Sequence, residues 1–356
     1  MLFFNSPTRR RVTKPASRAG ITSALESRVL LAGNTTARLS SAGTLTINGD
    51  ANNNSVDVTD DGAGTITVRE DGGGTINGSN DITFSSANVK NISINGLAGN
   101  DDVRVNDLSS LSGSISASLG IGQDALSVNN SNVAGKLTVL GGLGNDTVAL
   151  SGSITGAVHI NTDGGSDNVS FQSSHVKGTT TVLTRTGDDI LNVTSSEFDQ
   201  AVSINTDGGS DQVNLQDVLA HGTVNVLTGV DVGDDYVEVG VSTFDEAVVG
   251  VSTFDKAVTI MTYAGSDSIK IGAGTTFDGA VLLNTGIGSD TVDATGSTFN
   301  GKVTVLLADG ADQLTLTDNA FNQSVLLDGG TGKDILTDTA NMFAFAPVIK
   351  NFETII

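Results

Sequence analysis

The chain has 356 residues, 44 of them glycine, no cysteine, three prolines and a formal net charge of −22. No disulfide and no thiolate metal site can form without cysteine, and no apolar run approaches the roughly 18 residues that a membrane span needs. Residues 1–38 carry seven Lys or Arg and one Glu, about +6, whereas the remainder carries 11 basic and 39 acidic residues, −28; so acidic a body argues against nucleic acid and suits divalent cations or a cationic surface.

In chain order, residues 1–38 show no sheet pattern. Arg9, Arg10, Arg11, Lys14 and Arg18 make a basic arm. An ordinary signal peptide would need roughly 7–15 apolar residues after such charges, and the best segment, Val29 to Ala32, is too short. The expectation is a basic, disordered leader or targeting segment. Its Leu25-Glu26-Ser27-Arg28-Val29-Leu30-Leu31 resembles the L-E-P-R-x-L-L element near the start of many large surface and secreted proteins of planctomycete bacteria, with Ser27 where that element has Pro. The resemblance implies an extracellular or cell-surface location.

Residues 39–95 read as short strands at Thr44–Asn48, Val56–Thr59, Thr65–Arg69, Ile82–Phe84 and Val89–Ile94, separated by Asn/Gly/Asp clusters. They are expected to form a β-rich N-terminal cap over the open edge of the downstream repeats. Gly49 to Val56 looks like the turn of the later repeat, with Asn54 in the place of its aspartate.

Residues 96–338 are a tandem array. Gly141-Gly142-Leu143-Gly144-Asn145-Asp146-Thr147-Val148-Ala149 reads G-G-x-G-x-D-x-apolar-x, and Gly329 to Thr337 repeats it around Asp334. Weaker copies centre on Asp101, Asp124, Asp167, Asp189, Asp211, Asp235, Asp267, Asp290 and Asp312, spaced 21 to 24 residues apart except for one interval of 32. Residues 239–248 (VGVSTFDEAV) and 249–258 (VGVSTFDKAV) are a direct duplication, and removing ten residues from 32 restores 22. Glycine can turn with positive φ, and the alternation after Asp is a strand signal.

A steady period of this length indicates a solenoid. Counted from each Asp, apolar residues fall at +2, +4, +9, +13 and +15, as in Leu191, Val193, Phe198, Val202 and Ile204. Val193, Val213, Val237 and Ile269 should point inward, and Phe198, Phe254, Phe299 and Phe321 should form an internal row. The fold class expected is all-β, a right-handed parallel β-helix of about 22-residue coils, with strands at +1 to +5, +8 to +10 and +12 to +16. One copy of the duplication must leave the stack, so Phe254 should be buried and Phe244 more exposed. Residues 339–356, with Phe343, Phe345, Val348, Ile349 and Phe352, are expected to plug the last coil as a C-terminal cap.

The repeated turn resembles the G-G-x-G-x-D-x-U-x nonapeptide of RTX, or hemolysin-type, calcium-binding proteins, in which turn carbonyls and the Asp carboxylate hold Ca²⁺. Ile349-Lys350-Asn351-Phe352-Glu353 is similar to the closing segment of such arrays. The resemblance implies calcium as the cofactor, with Asp146 and Asp334 matching fully and Asp101 and Asp290 matching with one Gly replaced. Here, however, one turn occurs per 22 residues rather than back to back. Asp163 and Asp207, four residues before a repeat Asp, could add carboxylates. Read without the resemblance, these Asp residues cap turns.

Parallel β-helices also host polysaccharide lyases and glycosidases. The nearest group for such chemistry is Arg185 with Asp188 and Asp189, but Asp pairs occur at nearly every turn. His159, His175 and His221 fall on different rungs at outward positions and read individually as surface residues. The sequence therefore points to a non-enzymatic secreted or surface solenoid with a structural or adhesive role, partnered by surface or matrix polysaccharide or protein. The alternative is a β-helix enzyme on acidic polysaccharide.

Overall fold

In a computed structural model, which describes residues 33–229, 233–240 and 252–356, the repeat winds into a parallel β-solenoid, with no α-helix among the described residues. In the Asp124 and Asp146 rungs the second and third strands run together as Asn132–Leu143 and Ile154–Gly164, whereas from the Asp167 rung onward each rung supplies three main strands. After Asp189 they are Ile190–Thr194, Glu197–Phe198 and Val202–Asn205, close to the positions the periodicity predicts. Successive rungs pair in register, Leu191 with Val213, Phe198 with Ala220 and Ile204 with Val226. The first strands stack into a 15-stranded sheet, and the second and third merge into one of 23 strands.

The core is the inner face of that coil. Leu191, Val193, Phe198, Val202 and Ile204 are all buried, as are their counterparts Leu314, Leu316, Phe321, Val325 and Leu327. Val193, Val213, Val237 and Ile269 point inward. The last three share the +2 row, while Val193 stacks on Leu215 in the +4 row. Each such side chain contributes about 2 kcal/mol on burial. A single rung has two open faces, so the stack is the unit of stability. From Phe254 through Phe277, Phe299 and Phe321 to Phe343 the rings stack nearly parallel, with centroids 4.8–5.1 Å apart.

The corner between first and second strands is polar and buried. Ser131 N–H donates to Ser153 Oγ at 3.2 Å, Ser174 N–H to Ser196 Oγ at 3.1 Å, and farther along Ser297 N–H donates to Asn319 Oδ1 at 2.9 Å. Each bond ties a backbone donor that the turn leaves unpaired to the next rung.

The ends differ from each other. At the N-terminal end the parallel sheets turn antiparallel: Thr65–Glu70 pairs with Ser55–Asp60, Asp81–Ser85 pairs outside it, and Asn34–Leu39 lies antiparallel to Thr44–Asn48. The strand Asn34–Leu39 leaves no sheet pattern in the sequence, because its inward residues, Thr35 and Ala37, are small and polar or weakly apolar. The sheet thus begins before residue 38, and residues 1–32 of the expected leader lie outside the described residues. Asn54 opens the first rung, since Ser55–Asp60 pairs in parallel with Asp102–Asn106.

At the other end the tail continues the solenoid instead of plugging it. Met342–Phe343, Val348–Lys350 and Thr354–Ile355 each add to one of the stacked rows. Phe343, Ile349 and Phe352 pack on the core, while Met342, Phe345, Val348, Ile355 and Ile356 remain exposed.

The second copy of the duplication is the one in the stack. Phe254 lies on Ala220, Val258 on Val224 and Ile260 on Val226, and all three are buried. Phe244 lies outside the described residues. No helix among the described residues is long and apolar enough to cross a membrane.

Candidate metal centre

Each rung enters its first strand through a tight turn ending in the repeat aspartate. Glycine stands two residues before that aspartate in every rung, at Gly99, Gly122, Gly144, Gly165, Gly187, Gly209, Gly233, Gly265, Gly288, Gly310 and Gly332. At Gly144 φ is +135°, and a Cβ would run into the carbonyl of Gly122 in the rung before. The backbones touch there, which only glycine permits. The residue four before the aspartate is also left-handed, yet it is Leu97, Asp163, Arg185, Asp207, Tyr263 or Ala308 in six rungs. At this position a missing glycine is replaced by a residue whose side chain points outward, at a cost in backbone strain of roughly 1–3 kcal/mol each.

Behind these turns runs a file of eleven buried aspartates: Asp101, Asp124, Asp146, Asp167, Asp189, Asp211, Asp235, Asp267, Asp290, Asp312 and Asp334. Each carboxylate accepts, through Oδ1, the backbone N–H of the aspartate one rung earlier. Asp124 N–H donates to Asp146 Oδ1 at 2.9 Å, Asp267 N–H to Asp290 Oδ1 at 2.9 Å, and Asp312 N–H to Asp334 Oδ1 at 3.0 Å. The file starts at Asn54, whose N–H donates to Asp101 Oδ1 at 2.8 Å, and ends at Glu353, which accepts the N–H of Asp334 at 2.7 Å. All four aspartates that the sequence singled out as metal ligands stand in this file. So do seven others, at equivalent places.

What separates the rungs is the residue five before the aspartate. At Asp101, Asp146 and Asp334 it is Gly96, Gly141 and Gly329, and Oδ2 lies against the glycine where a Cβ would sit. At Asp290 it is Thr285, one of a buried row with Thr162, Thr184, Thr206, Thr228 and Thr262. Thr228, which a longer turn places seven residues before its aspartate, donates to Asp235 Oδ2 at 2.6 Å. Burial raises the carboxyls of Asp167 and Asp189, and Thr162 and Thr184 lie close enough to offset part of that rise without completing a hydrogen bond. Leu119 and Leu307 fill the same place before Asp124 and Asp312.

Oδ2 of Asp101, Asp146, Asp290 and Asp334 is buried and has no hydrogen-bond partner among the described residues. Burial accordingly pushes these carboxyls up from their ordinary value, partly offset by the N–H bond to Oδ1. Asp101 rises to about 6 and Asp146 to about 7, each also raised by neighbouring carboxylates; Asp290 and Asp334 rise as well. Elsewhere in the file Asp189 rises to about 7, and Asp267 and Asp312 to about 6.

A hard cation needs oxygen ligands, and a buried carboxylate oxygen without a proton donor is one. At Asp101, Asp146 and Asp334 the buried Oδ2, packed against a glycine and without a donor, is an oxygen of the kind a calcium ion takes. At Asp290 the Thr285 side chain occupies that space, and its hydroxyl donates instead to the Leu307 carbonyl at 3.1 Å. Asp163 and Asp207 do not join the file. They accept from Asn161 and Asn205 at 2.8 Å on the outside of the turn.

The group weighed for catalysis is not brought together. Asp189 is buried in the file, Arg185 pairs outside with Asp207 at 3.3 Å, and Asp188 accepts the N–H of Ser210 at 3.0 Å. A shallow groove of about 370 Å³ runs over Asn192, Asn214, Tyr236 and Glu238. Its one carboxylate, Glu238, is held by the Tyr236 hydroxyl at 2.9 Å and by Lys270 at 3.3 Å.

No family model and no curated protein matches the chain. Among solved structures it is similar to a hyperactive, Ca²⁺-dependent, β-helical antifreeze protein from an Antarctic bacterium, with 21% identity, a TM-score of 0.45, and coverage of 73% of this chain and 75% of that one.

Proposed function

We propose that the chain is a non-enzymatic, calcium-stabilised β-solenoid that serves as a spacer or adhesive element at the cell surface or outside the cell. The observation that carries the reading is the unpartnered Oδ2 facing a glycine at Asp101, Asp146 and Asp334. Calcium there would be held by those carboxylates, neutralising charge that the fold buries and adding to the one N–H bond that each carboxylate now accepts from the rung before. The outward residues support a structural role by their uniformity. Asn106 and Asn129, Asn192 and Asn214, and Asn300 and Asn322 bond to one another from rung to rung, spending their donors within the rod.

Thermal unfolding of the full chain, followed by circular dichroism, tests the reading. Millimolar Ca²⁺ should raise Tm relative to EDTA, because a ligand bound only to the folded state stabilises by linkage. Asp146→Asn together with Asp334→Asn should reduce the shift. An unchanged Tm leaves the aspartates as turn caps.

A further inference from the structure

Two histidines that look isolated in the sequence converge on the outer surface of the second strand. His175 pairs in register with Glu197 one rung later. Its Nε2 lies 2.9 Å from Asp199 Oδ1 and 4.0 Å from Glu197 Oε1. One ligand atom from each of His175, Glu197 and Asp199 fits within 4.8 Å of the others. From the following rung, His221 Nε2 comes within 3.4 Å of the same Glu197 Oε1, while its Nδ1 is 2.6 Å from Asp255 Oδ2.

The Asp255 contact orders the chemistry. Asp255 is a pure acceptor, so His221 carries a proton on Nδ1 and donates it there. The other nitrogen, Nε2, faces Glu197 Oε1. That contact is made either by a second proton on the ring or by a metal ion that takes the proton's place. A carboxylate bonded to the far nitrogen of an imidazole is also the arrangement that orients histidines toward metals. The ligand atoms are mixed nitrogen and oxygen, which selects borderline ions of the zinc class over Ca²⁺, an ion that prefers oxygen alone. The side chains are between 31% and 41% exposed, so an ion can enter directly from solvent.

We propose that His175, Glu197 and Asp199, with His221 oriented by Asp255, form a surface site for a divalent transition-metal ion of the zinc class, separate from the aspartate file. The ion would clamp three successive rungs from outside, where the file ties them from inside.

Isothermal titration of the full chain with ZnCl₂, in buffer already holding millimolar Ca²⁺, tests this. One saturable zinc site per chain is expected. It should weaken at least about tenfold in His175→Ala and in Glu197→Gln, and less in His159→Ala, a histidine outside the cluster. Circular dichroism melts of the variants in Ca²⁺ alone would establish that they are folded. Co²⁺ should give a visible absorption band with the wild-type chain that is lost in folded Glu197→Gln. Absence of zinc binding, or equal binding by wild type and both cluster variants, would overturn the proposal and leave a ladder of imidazole–carboxylate hydrogen bonds.

Discussion

At the turn before the first strand of each rung, carboxylates stand in file one rung apart; at the second strand, from Phe254 to Phe343, phenyl rings do the same. Both rows are buried and both repeat with the coil. Ring upon ring at 4.8–5.1 Å needs nothing from solution. Carboxylate above carboxylate is held by one N–H each and opposed by desolvation and mutual repulsion. On the proposed reading the fold thus has one corner whose strength is intrinsic and one whose strength depends on protons and cations.

The largest effect should therefore come from pH. The buried carboxyls have folded pKa values of about 6 to 7, above the ordinary value of 3.8. The folded chain thus binds more protons than the unfolded chain between about pH 4 and 7, and stability falls with rising pH across that window. Below it both states are protonated and the penalty vanishes; above it the full penalty persists. Melts in EDTA should show Tm dropping from pH 5 to pH 8, and Ca²⁺ should flatten the slope by holding the carboxylates ionised. A flat profile in EDTA would mean that the file is not under this strain.

The phenyl corner supplies the contrast. Phe299 is sandwiched between Phe277 and Phe321, and Phe299→Ala should cost about 3–5 kcal/mol. Denaturant melts should give the same loss at pH 5 and pH 8, with or without Ca²⁺. A loss below about 1 kcal/mol, or one that varies with pH, would break the division between the corners.

Much of this is legible in the sequence. The period, the apolar positions from +2 to +15 and the glycine two before each aspartate are local and repeated, so the strands and the coil can be derived from them. The distinction between Asp290 and Asp334 is not legible, because it lies in whether residue −5 places a side chain against Oδ2. The pattern G-G-x-G-x-D counts that position as one glycine among three. Nor do His175 and His221 stand out, since each taken alone is a surface histidine. The signal is nonetheless there: in an in-register stack, +8 of one rung lies beside +8 and +10 of the next, which places His175 against Glu197 and Asp199.

A smaller effect should sort the rungs within the carboxylate corner. Asp189→Asn keeps an oxygen for the N–H of Asp167 and removes a buried charge that has a threonine, not a glycine, beside it. In EDTA at pH 8 it should gain about 1–3 kcal/mol, the typical cost of an uncompensated buried polar group. Its Ca²⁺ response should match wild type, whereas Asp146→Asn should gain likewise in EDTA and respond less to Ca²⁺. Equal Ca²⁺ responses in the two variants would erase the difference between glycine and threonine rungs.

The smallest effect should come from the longest change. Deleting residues 239–248 joins Glu238 to Val249, so Val249 and Gly250 take the places of Val239 and Gly240. Val239 is buried between Leu215 and Ile271, and Gly240 has φ +111°; valine and glycine answer both needs. Ser252 and Phe254 then stand seven and nine residues after Asp235, where Ser196 and Phe198 stand after Asp189. Both corners of that rung are thus rebuilt at the common period. The aspartate bond from Asp235 to Asp267 and the contact of Phe254 with Phe277 should survive. Tm should change little or rise slightly, since a shorter connection loses less entropy on folding. If the deletion unfolds the chain, the ten residues hold the two corners in register, and the 22-residue period does not describe that rung.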